Sequence, residues 1–314
     1  MTGARPAEAS RAAATGQRSP IVSELRVILD TDIGDDIDDA YALALLICSP
    51  EVRLEAVTVN TGDIAARAQL ARRMLDEGGL HRVPVYQGLA GPGEARWPRQ
   101  ADWSRHHEPA GVIDQGAIAQ LVRRAADAPG ELTLVAIGPL TNLGAALDMD
   151  PEFGRRLRRL VLMGGSIVHG YDYGAQSAEY NIAHDPPSAQ KVFSCGADLV
   201  VVPLDATNRL QVTARQMAQL ALAGNPISRA LVELTALSSF EHPTLHDPRT
   251  CAVLLDARLA LGVRMRLEVT ADGFTNLVPG EPNCTAVISP ERTRFFDLLW
   301  QRYTAGSPHA RQGG

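Results

Sequence analysis

Lysine is almost missing from this chain: Lys191 stands alone among 30 basic residues, and the rest are arginine. Against 36 acidic residues this leaves a formal charge of −6, a poor match for nucleic acid as a partner. The run RRLRR at 155–159 reads as a solvated helix face, not a phosphate-binding patch. Cysteine is scarce too. Cys48, Cys195, Cys251 and Cys284 are scattered with no CxxC pair, which argues against a zinc cluster or a disulfide framework and fits a reducing cytoplasm. No stretch approaches the ~18 apolar residues of a membrane span. Residues 1–20 are rich in Ala, Arg, Ser and Gly and lack the apolar stretch of a secretory signal. No GxxxxGK occurs, so a P-loop is excluded.

Aspartate, by contrast, is concentrated. Six of the ten residues in DTDIGDDIDD, from Asp30 to Asp39, are aspartates, set between the apolar runs LRVIL and AYALALLIC. Two carboxylates ~5 Å apart repel by roughly 3 kcal/mol at an effective dielectric of ~20. Such a cluster at the edge of a core calls for a positive resident, and a hard divalent cation held by oxygen ligands is the simplest. It is not an EF-hand: Gly34 falls at loop position five instead of six, and no Glu occupies position twelve. Part of the run has a simpler account. Asp36 and Asp39 resemble a capping pair for a helix beginning near Ala40, and acidic residues suit a first helical turn. That account leaves Asp30 and Asp32, at a strand end, unexplained.

Short apolar runs alternate with helical patterns along the chain. Strands are predicted at Leu25–Leu29, Leu54–Val59, Val83–Tyr86, Leu132–Ile137, Leu160–Met163 and Leu199–Pro203. Helices are predicted at Ala40–Cys48, Ile64–Leu75, Ala117–Ala126, Asn142–Leu147, near Pro187–Phe193 and at Thr250–Leu255. The stretch from Ala90 to Ala110 reads as a long surface loop. The alternation implies an α/β fold: a single domain with a mainly parallel central sheet, helices on both faces and a Rossmann-like core. Residues 1–22 are expected to be a disordered tail, 23–304 the folded domain and 305–314 a second tail. Ligands in such sheets bind beyond the carboxyl ends of the strands. Those ends are polar or glycine-bearing here: the aspartate run, Asn60-Thr61-Gly62-Asp63, Ile137-Gly138-Pro139, Met163-Gly164-Gly165 and Asp205-Ala206-Thr207-Asn208. Farther on, His246-Asp247-Pro248 has the plain reading of an Asp cap with Pro at the first helical position. Glu179-Tyr180-Asn181 has that of ordinary loop polarity.

Taken together these fragments resemble the inosine–uridine-type nucleoside hydrolases, calcium-dependent nucleoside N-ribohydrolases. The resemblance runs from about Leu25 to Tyr303. It rests on DTDIGDDIDDAYAL, VTVNTGD at 57–63, AIGPLTNL at 136–143, LVLMGG at 160–165, AEYNIAHDP at 178–186, PLDATN at 203–208 and LHDP at 245–248, in that order. It implies the following roles. Asp32, Asp39 and Asp247 are carboxylate ligands of Ca2+, Ile137 adds its backbone carbonyl, and Asp32 also acts as general base. Asp38, Asp63, Glu179 and Asn181 bind the ribose, with Met163 beside the sugar. His246 stands near the nucleobase as the candidate leaving-group acid. One departure is visible. The family pattern DTDPGxDD is lengthened here by two residues before Asp38-Asp39, so Asp36, four residues after Asp32, is a second candidate for the role given to Asp38.

The implied chemistry is coherent. Breaking an N-glycosidic bond builds oxocarbenium character on the sugar, which is helped by nearby negative charge, an activated water and a protonated leaving group. The expected products are free base and ribose, as in purine and pyrimidine salvage, and the resemblance implies a homodimer or homotetramer. Two alternatives stand beside this: hydrolysis of another N-riboside, such as a nicotinamide or modified-base riboside, and a catalytically silent ribose-binding protein. Base-contacting residues are expected in the poorly patterned segments 90–110 and 225–245.

Overall fold

The computed structural model of the chain describes residues 24–93, 97–238 and 242–310. The strands are β1 (Leu25–Thr31), β2 (Val52–Val59), β3 (Val85–Gln87), β4 (Ile113–Gln115), β5 (Leu132–Ala136), β6 (Arg159–Met163), β7 (Leu199–Val202), β8 (Gly262–Met265), β9 (Leu267–Val269), β10 (Thr275–Leu277) and β11 (Cys284–Val287). Nine of them form one sheet in the order β4-β3-β2-β1-β5-β6-β7-β11-β8. Every neighbouring pair is parallel except β11 and β8. The remaining two pair antiparallel as a small β9–β10 ribbon.

The sheet is covered on both faces because its central strands carry apolar side chains in both directions. In β1, Val27 and Leu29 enter one core and Ile28 the other. The first core is filled by the helices Asp38–Ile47, Ile64–Glu77, Pro226–Leu237, His246–Ala252 and Arg292–Ala305. The second is filled by Ala117–Asp127, Thr141–Met149 and Pro186–Phe193. The helix Asp38–Ile47 is buried along its whole length, as its nearly continuous apolar sequence predicts. Each fully buried Leu or Ile there stabilises the fold by about 1.5–3 kcal/mol.

The chain order places the site. From β1 the sheet grows through β2, β3 and β4 on one side, and through β5, β6 and β7 on the other. The crevice between the carboxyl ends of β1 and β5 is therefore a topological switch point, the usual ligand position in open α/β sheets. The aspartate run follows β1 and Ile137-Gly138 follows β5.

Several local expectations need correction. The final helix continues to Ala305, and the described residues 306–310 pack back onto the fold, with buried Ser307 donating to the Gly78 carbonyl at 2.6 Å; the remainder of the expected tail, 311–314, lies outside the described residues. The expected tail at 1–22 lies outside the described residues. RRLRR is not one helix face; it spans the end of the helix Phe153–Arg156 and the start of β6, in separate ion pairs with Glu152, Asp150 and Asp198. The 90–110 stretch contains a 3₁₀ turn, Ala101–Trp103, with Trp103 Nε1 donating to Glu233 at 2.7 Å. β4, β8, β9, β10 and β11 are absent from the predicted strands; they have three or four residues each, and they lack the continuous apolar run that marks the similarly short β7. Among the described residues no helix is long and apolar enough to cross a membrane.

Candidate active site

Asp30, the penultimate residue of β1, is fully buried and serves as a structural tie. It accepts from the Thr58 hydroxyl, from Asn60 Nδ2 at 2.7 Å and from Asn142 Nδ2 at 2.8 Å. Burial pushes its carboxyl up to about 6, against these three donors. The tie joins β1 to β2 and to the helix Thr141–Met149. Beyond it the chain turns outward, held by a buried arginine. Arg67 donates through Nε to the Thr61 carbonyl at 2.6 Å and to the carbonyls of Asp32 and Ile33, and it pairs with Asp35 at 2.7 Å. One guanidinium thus fixes the path that carries Asp32.

Three carboxylates converge most closely. Asp38, Asp39 and Asp247 are all buried, and each offers an oxygen within 4.8 Å of the others. At an effective dielectric of about 20, each pair repels by about 3 kcal/mol or more. The helices Asp38–Ile47 and His246–Ala252 both begin here, so their N-terminal ends offset part of that charge. The N–H groups of His246 and Asp247 donate to Asp38 Oδ2 at 3.1 and 3.2 Å. Thr31 donates to Asp39 Oδ1 while accepting the Ile33 N–H at 3.1 Å. Asp32 lies against this group and its charge acts on all three members. Gly138 permits the approach, since a Cβ there would come within 2.8 Å of Asp32 Oδ1.

Burial raises every one of these carboxyls. Asp32 is pushed up to about 7 by burial, which outweighs the nearby Arg67. Asp38 also reaches about 7, through burial and then Asp36. Asp39 is held well above the usual range by burial, Asp32 and Asp38; Asp247 is raised likewise by burial, Asp38 and Asp39. Four hard oxygen donors that resist ionising together fit a hard divalent cation. Among the described residues the metal-competent group is made of carboxylates alone, a donor set that suits a hard ion better than a soft thiophilic one.

A cavity of about 510 Å³ opens over the cluster. Its floor is Asp32, Asp38, Asp39 and Asp247; its walls include Met163, Glu179, Asn181 and His246. Glu179 begins the short helix Tyr180–Ala183 and accepts the N–H groups of Gly165, Asn181 and Ile182 at 2.9, 3.0 and 3.2 Å, a fixed carboxylate facing the cavity. Asn181 Nδ2 donates to the carbonyls of Ile137 and Met163 at 2.9 and 3.2 Å, leaving its amide oxygen to accept from a ligand hydroxyl. The Ile137 carbonyl, just past β5, is thus engaged by Asn181, and Ile137 is not among the residues that line the cavity. His246 Nδ1 meets the Thr207 hydroxyl at 2.7 Å, and burial lowers its pKa to about 4, so the ring is neutral near pH 7. Asp36 is exposed at the cavity mouth. Asp63 does not line the cavity; it caps the helix Ile64–Glu77, accepting the Ala66 N–H at 3.0 Å. The capping readings of the other aspartates fail, because Ile37 and Leu245 are the N-caps of the two converging helices and neither makes a side-chain cap.

Arg67 had no mark in the sequence, and the roles of Thr31 and Thr207, though both lie in quoted fragments, did not show there, because they lie in contacts between separate segments. Trp97, Arg99, Tyr171 and Tyr180 also line the cavity. The first two lie in the expected 90–110 segment; Tyr171 and Tyr180 do not. No described residue of 225–245 lines it. A larger cleft of about 850 Å³ opens beside the amino ends of β7 and β11, away from the strand ends that carry the cluster.

Comparison with known proteins agrees with this geometry. Residues 27–297 match the family described as inosine-uridine preferring nucleoside hydrolase. The chain is 31% identical to the pyrimidine-specific ribonucleoside hydrolase RihA of Enterobacter sp. (strain 638), over 88% of this chain and 97% of that protein. Its fold superposes on a plant nucleoside hydrolase with a TM-score of 0.79 and 28% identity, covering 90% of this chain and 99% of the other. The Bacillus anthracis inosine-uridine preferring nucleoside hydrolase, at 24% identity and a TM-score of 0.74, covering 90% of this chain and 99% of that one, shares the fold. The acidic crevice and these matches lead to one assignment: the chain belongs to the inosine-uridine preferring nucleoside hydrolase family.

Proposed function

We propose that the protein hydrolyses the N-glycosidic bond of ribonucleosides to free base and ribose through a calcium ion held by Asp32, Asp39, Asp247 and the Ile137 carbonyl. The observation that carries this reading is the convergence of buried carboxylates at the β1–β5 crevice in a member of this family. When bound, the cation supplies fixed positive charge that neutralises the cluster and orients and acidifies a water. The chain's own groups do the rest. Asp32, partly open to the cavity and anchored by Arg67 through its backbone, accepts the proton of the attacking water. Asp38 has one oxygen occupied by two backbone N–H groups and offers the other to a ribose hydroxyl. Glu179 and Asn181 orient the sugar, and Met163 packs beside it. His246 is neutral and acts as a hydrogen-bond donor to the departing base, a weaker aid than a charged acid.

A reducing, cytoplasmic setting is supported by four free cysteines, and free base and ribose are the products that purine and pyrimidine salvage uses. A homodimer or homotetramer rests on the family resemblance alone, and light scattering on the purified chain tests it. The decisive assay is the purified chain with calcium, a panel of ribonucleosides and nicotinamide riboside, and a reducing-sugar readout, repeated after chelation. Ribose release that chelation abolishes supports the reading. Ribose binding without turnover would instead establish the silent binding protein.

A further inference from the structure

The segment Pro203-Leu204-Asp205-Ala206-Thr207-Asn208 stood out in the sequence, yet only two of its residues reach the site: Leu204 in the cavity lining and Thr207 against His246. Asp205 has a different engagement. Its carboxylate accepts three consecutive backbone N–H groups: Ile167 at 2.8 Å, Val168 at 3.0 Å and His169 at 3.0 Å. Three residues on, Asn208 Nδ2 donates to the Gly170 carbonyl at 2.8 Å. Arg209 then lies over the Tyr173 ring at 4.2 Å. Asp205, Asn208 and Arg209, all after β7, thus grip the loop that follows β6 at Ile167–Gly170 and at Tyr173.

That loop is one the chain would not adopt unaided. Asp172 and Tyr173 hold left-handed φ values of 55° and 59° without being glycine, a conformation that persists only where surroundings over-determine it. Between the gripped backbone and these strained residues sits Tyr171. It lines the cavity, and its hydroxyl accepts the Tyr180 N–H at 3.0 Å, at the start of the helix that presents Glu179 and Asn181. A carboxylate that binds successive N–H groups in this way orders a loop from outside the site.

The geometry points to Asp205 as a positioning residue. By fixing the 166–174 loop it sets Tyr171 as the cavity wall above the carboxylates and so governs nucleoside binding more than bond cleavage. The proposal rests on the nucleoside-hydrolase reading above for its kinetic test, and one arm is independent of it. Hydrogen exchange on the full chain reads the loop directly. Asp205→Ala should accelerate exchange at the amides of 167–171 while amides of the helix Asp38–Ile47 keep their protection. With uridine as probe and calcium present, Asp205→Ala should raise KM by about tenfold or more and change kcat by less than about threefold. Tyr171→Ala should raise KM similarly, and the double variant should add less than about threefold to it, because the two residues act in one chain of contacts. Asn208→Ala, which removes only the Gly170 contact, should give the same split at smaller size and serves if Asp205→Ala does not fold.

Unchanged KM in a folded Asp205→Ala chain, or KM effects that multiply in the double variant, would overturn the role. So would unaltered exchange at 167–171. Absence of uridine turnover in the wild-type chain would count against the functional reading, and the exchange arm would still decide whether Asp205 orders the loop.

Discussion

Asp32 differs from its neighbours in what its removal should do. It sits among like charges, so Asp32→Ala relieves repulsion, and the variant is expected to melt no lower than the wild type. Its turnover should nevertheless fall by roughly 10²–10⁴-fold, the usual contribution of a general base. Calorimetry and ribose release on the same sample check both halves; wild-type turnover in the folded variant would refute the role. Asp30 is the contrast, two residues earlier in the same run. Asp30→Ala leaves buried Thr58, Asn60 and Asn142 donors without their acceptor, at about 1–3 kcal/mol for each unsatisfied group. Denaturant unfolding should therefore show a loss of several kcal/mol. The density of aspartate was legible because charge clustering is local. The division of labour within it was not, because that depends on which strand end or helix start each residue reaches.

Two helix starts and one arginine assemble the cluster. The helix with Asp247 begins at His246, four residues before the apolar pattern suggested, which carries Asp247 into the first turn and its N–H onto Asp38. An apolar pattern marks where a helix is buried and misses a polar first turn aimed into a site. Central strands were readable for the opposite reason: burial on both faces leaves continuous apolar runs, as in β5 with LTLVA. Edge strands such as β4 and β8 had no such mark. Arg67 acts at this scale, since it ties the helix Ile64–Glu77 to the loop after β1. Arg67→Lys should not replace it, because a single ammonium cannot reproduce a planar fork that serves three carbonyls and a carboxylate. Expected are a loss of about 2–4 kcal/mol in stability, as for breaking a buried hydrogen-bonded network, and a fall in kcat. A variant with wild-type melting and turnover would remove Arg67 from the account.

For the whole molecule, the folded chain without a divalent ion carries carboxylates it would rather protonate. Asp32 and Asp38 rise to about 7 from the ordinary 3.8, so between those values the folded state binds more protons than the unfolded one. Stability then falls as pH rises through that window and is lowest above it. Chelated protein should accordingly melt higher near pH 5.5 than near pH 8, and saturating calcium should reverse the order, because the ion binds the deprotonated carboxylates. Melting curves at the two pH values, with chelator and with calcium, check the sign. The α/β architecture and the strand ends as the place of the site followed from the alternation of patterns; which two ends form the crevice depended on the sheet order, and the wall formed by Tyr171 came from a loop whose shape Asp205 sets across 38 residues of sequence. The most direct test of the central claim is a calcium titration of the chelated enzyme, followed by calorimetry and by ribose release from uridine together. The account predicts a single saturable site, activity that rises in step with its occupancy, and affinity at least about tenfold weaker in Asp39→Asn. Full activity with no bound divalent ion, or binding unchanged in Asp39→Asn, would contradict it.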